Sequence, residues 1–472
     1  MESVNQRDGN VWVRLLKNEE RNIALEIIRN GLLDELHSKR LIPSYEFQEL
    51  NDSLVPQLIL RVSNVNSPSP HEWTQQMMCD AALLLLEIEE ICERFSFTLV
   101  DAHFNNVLFQ YGKPVMVDFC SFESRTALKG WRASQEYRTE IHRPITLLSK
   151  GHSKFVRFSL EKGSVSRNRL WTLSHPILFR LIRLLNIDRR LSEYSERLAS
   201  ASVFNPLQSL LTLSFGYHGL KVEAVLKEKF KSSNRMRRIA FNGIKITASL
   251  IRPILLINVR KEKKLLHKLR TRSNAGYWSN YYGDVKSVQN LKLDSRFEVH
   301  LDLIEKLGIQ SVTDIGGNDG KFVKALIEKR LVSSGTVLDA DEAMVDKGRT
   351  DALAKELPIS FGLVDISALP TPDRVNQGRF DADLVCAFAL IHHLCLRYRM
   401  SFAHALSNIC SVKSRYLMIE FMPYGMSVTP NEVRVPESYS EKYFVEALSQ
   451  FVCRFERVVL SETRVLYLCE MN

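Results

Sequence analysis

The densest chemistry in the sequence lies in Val312-Thr313-Asp314-Ile315-Gly316-Gly317-Asn318-Asp319-Gly320, where an apolar run ends on a carboxylate and passes into a glycine-rich turn. A backbone without Cβ atoms lets a ligand approach closely. In dinucleotide enzymes such a turn faces a pyrophosphate at a helix N-terminus, with the spacing G-x-G-x-x-G. Here the spacing is G-G-x-x-G behind Asp314, and the acidic residue favours a cationic group over an anionic one. The methionine ammonium of S-adenosylmethionine is such a group, which Asp314 could meet directly or through water.

Nineteen residues beyond Gly320, a second apolar run ends as Val337-Leu338-Asp339-Ala340-Asp341. A carboxylate there can accept from both ribose hydroxyls. Asp339 is the residue expected in that role, with Asp341 and Met344 lining the adenosine side. Val364-Asp365-Ile366 places another carboxylate where an adenine amino group would donate. A fourth run, Asp383 to Ala387, leads to His392 and His393. A sulfonium methyl is already activated, so the protein's main task is to align an acceptor and exclude water. An acceptor hydroxyl or protonated amine also needs a base, and the two histidines are the candidates, His393 preferred over His392. Each feature has a plainer counterpart. Glycine turns and strand-end aspartates often turn a chain or cap a helix, and one histidine of such a pair often only packs. Glu420, near the end of a fifth run, has two readings: it faces the acceptor, or it bonds a neighbouring loop.

Positioning these residues requires strands at Ser311–Ile315, Thr336–Asp339, Ile359–Val364, Ala382–Ala387 and Tyr416–Phe421, separated by helices near Phe322–Lys329, Glu342–Lys355 and Ser401–Ser411. Alternation of this kind predicts a mainly parallel sheet covered by helices. Arg454–Ser461 and Arg464–Cys469 suit an antiparallel edge. The expected fold class for 276–472 is therefore α/β and Rossmann-like, preceded by an α+β region over 1–125 and a helical, basic region over 126–275. At this point the sequence resembles the class I S-adenosylmethionine-dependent methyltransferases, over roughly Arg296 to Asn472. The resemblance implies a transferase with S-adenosylmethionine as cofactor and no metal. No N-P-P-Y-like sequence follows the fourth strand, which argues against methylation of nucleic-acid bases.

The N-terminal region carries different chemistry. Asp101-Ala102-His103-Phe104-Asn105-Asn106, followed by Val117-Asp118-Phe119, has the D-x-x-x-x-N then D-F spacing of kinase-like phosphotransferases. The helical pattern of Trp73–Phe95 precedes it, and strands are expected at Thr98–Val100, Asn106–Phe109 and Val115–Val117. No glycine-rich phosphate loop or V-A-I-K-like strand lysine accompanies the motif. His71-Glu72-Trp73, Val100-Asp101-Ala102 with Asn106-Val107, and Gly112-Lys113-Pro114-Val115 with Asp118 and Ser121-Phe122-Glu123 resemble a bacterial methyltransferase-like family that includes the rhizobial nodulation protein NoeA. That resemblance implies a cytoplasmic bacterial protein linked to host-specific nodulation, modifying a signal molecule or surface saccharide. Val100 and Phe119 depart from the family's lysine and small polar residue.

Bulk properties bound the remainder. With 472 residues, 45% hydrophobic and 25% charged, the chain is long enough for two or three cored domains. Its eight cysteines form no CxxC pair, and Met1–Asn10 lacks the pattern of a secretory signal, so a reducing, cytoplasmic setting is expected. The net charge of +10 is concentrated: Lys221 to Arg272 holds sixteen Lys or Arg against three Glu, and the remaining chain is slightly acidic. Within that stretch, Ile239–Val259 is largely apolar but interrupted by Asn242, Lys245, Arg252 and Pro253. A buried helix with basic flanks is the first reading. Peripheral contact of 221–272 with anionic lipid is the second, and nucleic-acid contact the least favoured, because no recognisable module accompanies the charge.

Overall fold

Five apolar runs after residue 310 pair as parallel strands, which needs a crossover between successive runs; helices supply it after the first, second and fourth. The structure is a computed structural model that describes residues 5–8, 11–16, 19–50, 57–63, 67–119, 121–125, 131–161, 259–271, 296–368, 378–425 and 435–472. The apolar stretch Ile239–Val259 lies outside these residues except for Val259.

The N-terminal elements are β1 (Asn5–Asp8), β2 (Val11–Leu16), α1 (Glu19–Arg29), α2 (Leu32–Ser38), β3 (Tyr45–Leu50) and β4 (Gln57–Ser63), whose strands form an antiparallel sheet in the order β1-β2-β4-β3. There follow α3 (Gln75–Arg94), β5 (Phe97–Leu99), β6 (Val107–Gln110), β7 (Lys113–Met116), β8 (Phe122–Ser124), α4 (Ser134–Tyr137), α5 (Arg143–Leu148), α6 (Ser153–Glu161) and α7 (Val259–Arg270). The Thr74 side chain caps α3 by accepting from the Met77 amide at 3.0 Å. Trp73, fully buried, packs edge-on to Phe104 and Phe109 and donates its indole N–H to the Pro68 carbonyl at 2.8 Å. Helix α7 is the described part of the basic stretch. It joins this core through Leu266 and Leu269, while Lys263 pairs with Glu90.

The C-terminal elements are α8 (Arg296–Leu307), β9 (Ser311–Ile315), α9 (Lys321–Glu328), β10 (Ser334–Asp339), α10 (Glu342–Ala354), β11 (Ile359–Leu363), β12 (Ala382–Ala387), α11 (Phe402–Ile409), β13 (Ser414–Phe421), α12 (Glu441–Leu448), β14 (Val452–Ser461) and β15 (Arg464–Met471). Their strands form one seven-stranded sheet, β11-β10-β9-β12-β13-β15-β14, in which the first five are parallel and β15 and β14 antiparallel. It is a Rossmann-like α/β fold. Separate apolar clusters cover the two faces: Ile315, Leu338 and Val385 on one, Val312, Val337 and Leu384 on the other. Strand order reverses between β9 and β12, the place where open α/β sheets leave a crevice at their strand tips.

Buried charge joins the two parts. Arg349 of α10, 1% exposed, reaches Asp80 and donates to the Gly112 carbonyl at 2.8 Å. Arg379 forks onto Glu72 at 2.6 and 3.1 Å, and Arg157 contacts Glu342 at 3.4 Å. The Gln75 amide at the start of α3 donates to Glu342 at 2.6 Å. Bidentate and charge-assisted bonds of this kind fix register as well as affinity. No helix among the described residues is long and apolar enough to cross a membrane.

Candidate functional site

Strand β9 runs buried into the glycine turn, which three left-handed residues shape: Gly316 at φ 77°, Asn318 at 54° and Gly320 at 72°. The Gly316 amide donates to the Leu338 carbonyl at 2.7 Å, tying the turn to β10. Gly317 is required by space. A Cβ there would lie 2.7 Å from the Asp314 Oδ2 and 3.0 Å from Val337. Asp314 itself is 3% exposed. Burial, with the nearby Asp339 and Glu420 carboxylates adding repulsion, raises its pKa to about 7. None of the described residues gives it a hydrogen bond or a cation. A carboxylate so placed is costly unless a cation or donor meets it, which is what the ammonium of a bound amino acid supplies.

Asp339 ends β10 and accepts the Asn318 amide on one oxygen and the Asp341 amide on the other, each at 2.8 Å. Those bonds aim the carboxylate across the glycine turn. Asp341 behaves differently from the expectation that it lines an adenosine side: it is 2% exposed, and its Oδ1 caps α10 by accepting from Ala343 and Met344. Its position as the residue before a helix explains this. Its Oδ2 is buried with no hydrogen-bond partner among the described residues. Met344 lies half-buried in the first turn of α10, and Asp365 stands exposed just past β11, accepting from the Ser367 amide and hydroxyl at 3.0 and 2.6 Å. Asp314, Asp339 and Asp365 thus sit at the tips of three adjacent parallel strands.

Across the crevice, the loop after β12 carries Phe388, Ala389 and Leu390 to His392 and His393. The two imidazoles lie with ring centroids 4.0 Å apart, their planes tilted by 39°. His392 is 4% exposed and burial drives its pKa down to about 3, so it stays neutral; His393 is half-buried and lowered by burial and by Arg397. His393 is the more accessible proton acceptor. Glu420, fully buried at the end of β13, takes the second of its two sequence readings and accepts the Ala389 amide at 3.0 Å. Just beyond the histidines, Phe402, Tyr424, Tyr439 and Tyr443 help line a groove of about 1240 Å³.

In the N-terminal part, the β6–β7 hairpin brings the other candidates near each other. Asn106 donates to the Ser121 hydroxyl at 3.3 Å, and that hydroxyl donates to Asp118 at 2.6 Å. Burial raises the Asp101 pKa, and Glu136 and Asp118 are among the charges acting on it. The described residues hold no group of three or more His, Cys, Asp or Glu placed to grip a metal ion.

No family profile matches the sequence, and no curated relative matches it. Among solved structures, the chain is similar to the N-methyltransferase NodS from Bradyrhizobium japonicum WM9, at 17% identity and a TM-score of 0.28, over 38% of this chain and 99% of that one. A SAM-dependent methyltransferase from Aquifex aeolicus gives 17% identity and 0.29, over 38% and 94%. WbdD gives 17% and 0.29, over 38% of this chain and 40% of its own, so the chain spans about two fifths of WbdD. The fold assignment rests on strand order and register.

Proposed function

We propose that the C-terminal unit, residues 276–472, is an S-adenosylmethionine-dependent methyltransferase. The observation that carries this reading is Asp314, a buried carboxylate with no donor among the described residues, beneath a turn whose Gly317 has no room for a Cβ. In this reading Asp314 holds the methionine ammonium, Asp339 the ribose hydroxyls and Asp365 the adenine amino group, with Met344 against the base. The cofactor supplies a methyl activated by sulfonium charge. His393, its pKa lowered by burial and by Arg397, would take the proton of an acceptor held in line with that methyl. Calorimetry with S-adenosylhomocysteine tests the assignment: wild type binds, and Asp339→Ala weakens binding at least tenfold. Equal affinity in the two proteins counts against it.

The acceptor in this reading is the one the NoeA-type resemblance implies, a signal molecule or surface saccharide of host-specific nodulation, entering by the groove that Cys395 and Phe402 help line. A second reading assigns a phosphotransferase to the N-terminal part, supported by the link from Asn106 through Ser121 to Asp118. Nucleotide binding that depends on magnesium and is lost in Asp118→Ala supports it; an unchanged melting temperature with ATP and magnesium removes it. Peripheral membrane contact through 221–272 is proposed from the exposed Arg260, Lys264 and Lys268 of α7. Sedimentation with anionic liposomes at low and high salt tests it, and protein that stays in the supernatant at low salt ends the idea.

A further inference from the structure

The loop after β12 is held from three sides. Phe388 packs edge-on to His300 of α8, centroids 4.7 Å apart, and to Phe322 at the start of α9, 5.0 Å apart. Leu390 lies over the glycine turn, its Cδ1 3.4 Å from where a Gly316 Cβ would be. Between them Ala389 stands at φ 47°, a left-handed conformation unfavourable for a residue with a Cβ. The Ala389 amide donates to the Glu420 carboxylate at 3.0 Å. Glu420 is in turn held by Arg464 at 2.8 Å from β15, with His300 3.5 Å from its other oxygen. A fully buried, ion-paired glutamate is an expensive way to satisfy one amide unless the amide's position matters.

Building on the methyltransferase reading, we infer that Glu420 is a positioning residue for the cofactor crevice: by holding Ala389 left-handed, it fixes Leu390 against the glycine turn and sets where His393 stands. The His393 amide continues the chain of constraint by donating to the Leu390 carbonyl at 3.0 Å. Without the carboxylate, Ala389 returns to right-handed backbone, Leu390 leaves Gly316, and the wall opposite Asp314 is lost. Glycine pays almost nothing for the left-handed conformation, so a glycine at 389 should keep the loop in place without the clamp.

The experiment is S-adenosylhomocysteine affinity by calorimetry on the full chain. Glu420→Gln retains an oxygen for the Ala389 amide and is expected within about threefold of wild type. Glu420→Met removes the acceptor at similar volume and is expected to bind at least tenfold more weakly. Adding Ala389→Gly to it should recover about fivefold or more. If Glu420→Met does not melt cooperatively, Glu420→Met/Arg464→Met removes both charges together, a change that folded proteins commonly tolerate, and carries the same comparison. Binding by wild type with no weakening in the Met variant, or weakening that Ala389→Gly leaves untouched, overturns the inference while the cofactor reading stands. No binding by wild type overturns both.

Discussion

Titrating Asp314 should move cofactor affinity and protein stability in opposite directions. Its pKa is raised to about 7, and an ammonium ligand gains from the ionised carboxylate. About a tenth of the groups are ionised at pH 6 and about three quarters at pH 7.5, so S-adenosylhomocysteine should bind roughly eightfold more tightly at the higher pH. Without ligand the sign reverses. A carboxyl whose folded pKa exceeds its unfolded value supports folding below pH 4 or so and loses that support as pH rises through about 7. The rise corresponds to roughly 4 kcal/mol by pH 8 as an upper bound. Asp314→Asn should therefore melt higher than wild type at pH 8, yet bind the ligand with the loss of a charge-assisted bond, roughly 1.5–3 kcal/mol, and with no slope between pH 6 and 7.5. Calorimetry at the two pH values and a thermal melt of each protein measure all of this. Affinity flat with pH in wild type, or the same slope in Asp314→Asn, refutes the reasoning.

Gly317→Ala forces a Cβ against Asp314 and Val337; a loss of about 1–3 kcal/mol in stability is expected from overpacking, together with weakened S-adenosylhomocysteine binding, read by melting and calorimetry. Arg379→Ala leaves Glu72, 5% exposed, without its bidentate partner, and a loss of up to about 3–5 kcal/mol in chemical denaturation is expected; a change under 1 kcal/mol or so would show the pair to be solvent-like. His392 is buried neutral with its pKa down near 3, below its unfolded value, so it opposes folding increasingly as pH falls below 6.5. His392→Gln should accordingly move the acid-unfolding midpoint to lower pH, and an unmoved midpoint contradicts the burial argument.

The parallel sheet was readable because each strand is a short apolar run ending on a polar or glycine-rich turn. Ser311–Ile315 and Ala382–Ala387 have the same bounds in sequence and structure, and the other strands of the sheet differ by one or two residues. The N-terminal antiparallel sheet was not readable as such. Tyr45–Leu50 reads YEFQEL and Asn5–Asp8 reads NQRD, too polar or too short for a period-two pattern to declare itself. Helices α8 and α12 were missed as well. At the site, strand-end carboxylates announce their positions, but their roles depend on neighbours brought in by folding. Asp341 lies one residue before a helix and is drawn into its cap. Ala389 carries no signal in the sequence at all; its conformation follows from a glutamate thirty-one residues away. The ties of Arg349, Arg379 and Arg157 across the two parts likewise join residues too distant in sequence for periodicity to reveal.

The central claim is most directly tested by an X-ray structure of the full chain crystallised with S-adenosylhomocysteine. Density should place the ligand's ammonium about 3 Å from the Asp314 carboxylate, its ribose hydroxyls on Asp339 and its base toward Asp365. A ligand bound elsewhere, or a crevice in which a protein donor satisfies Asp314 and no ligand enters at saturating concentration, contradicts the account.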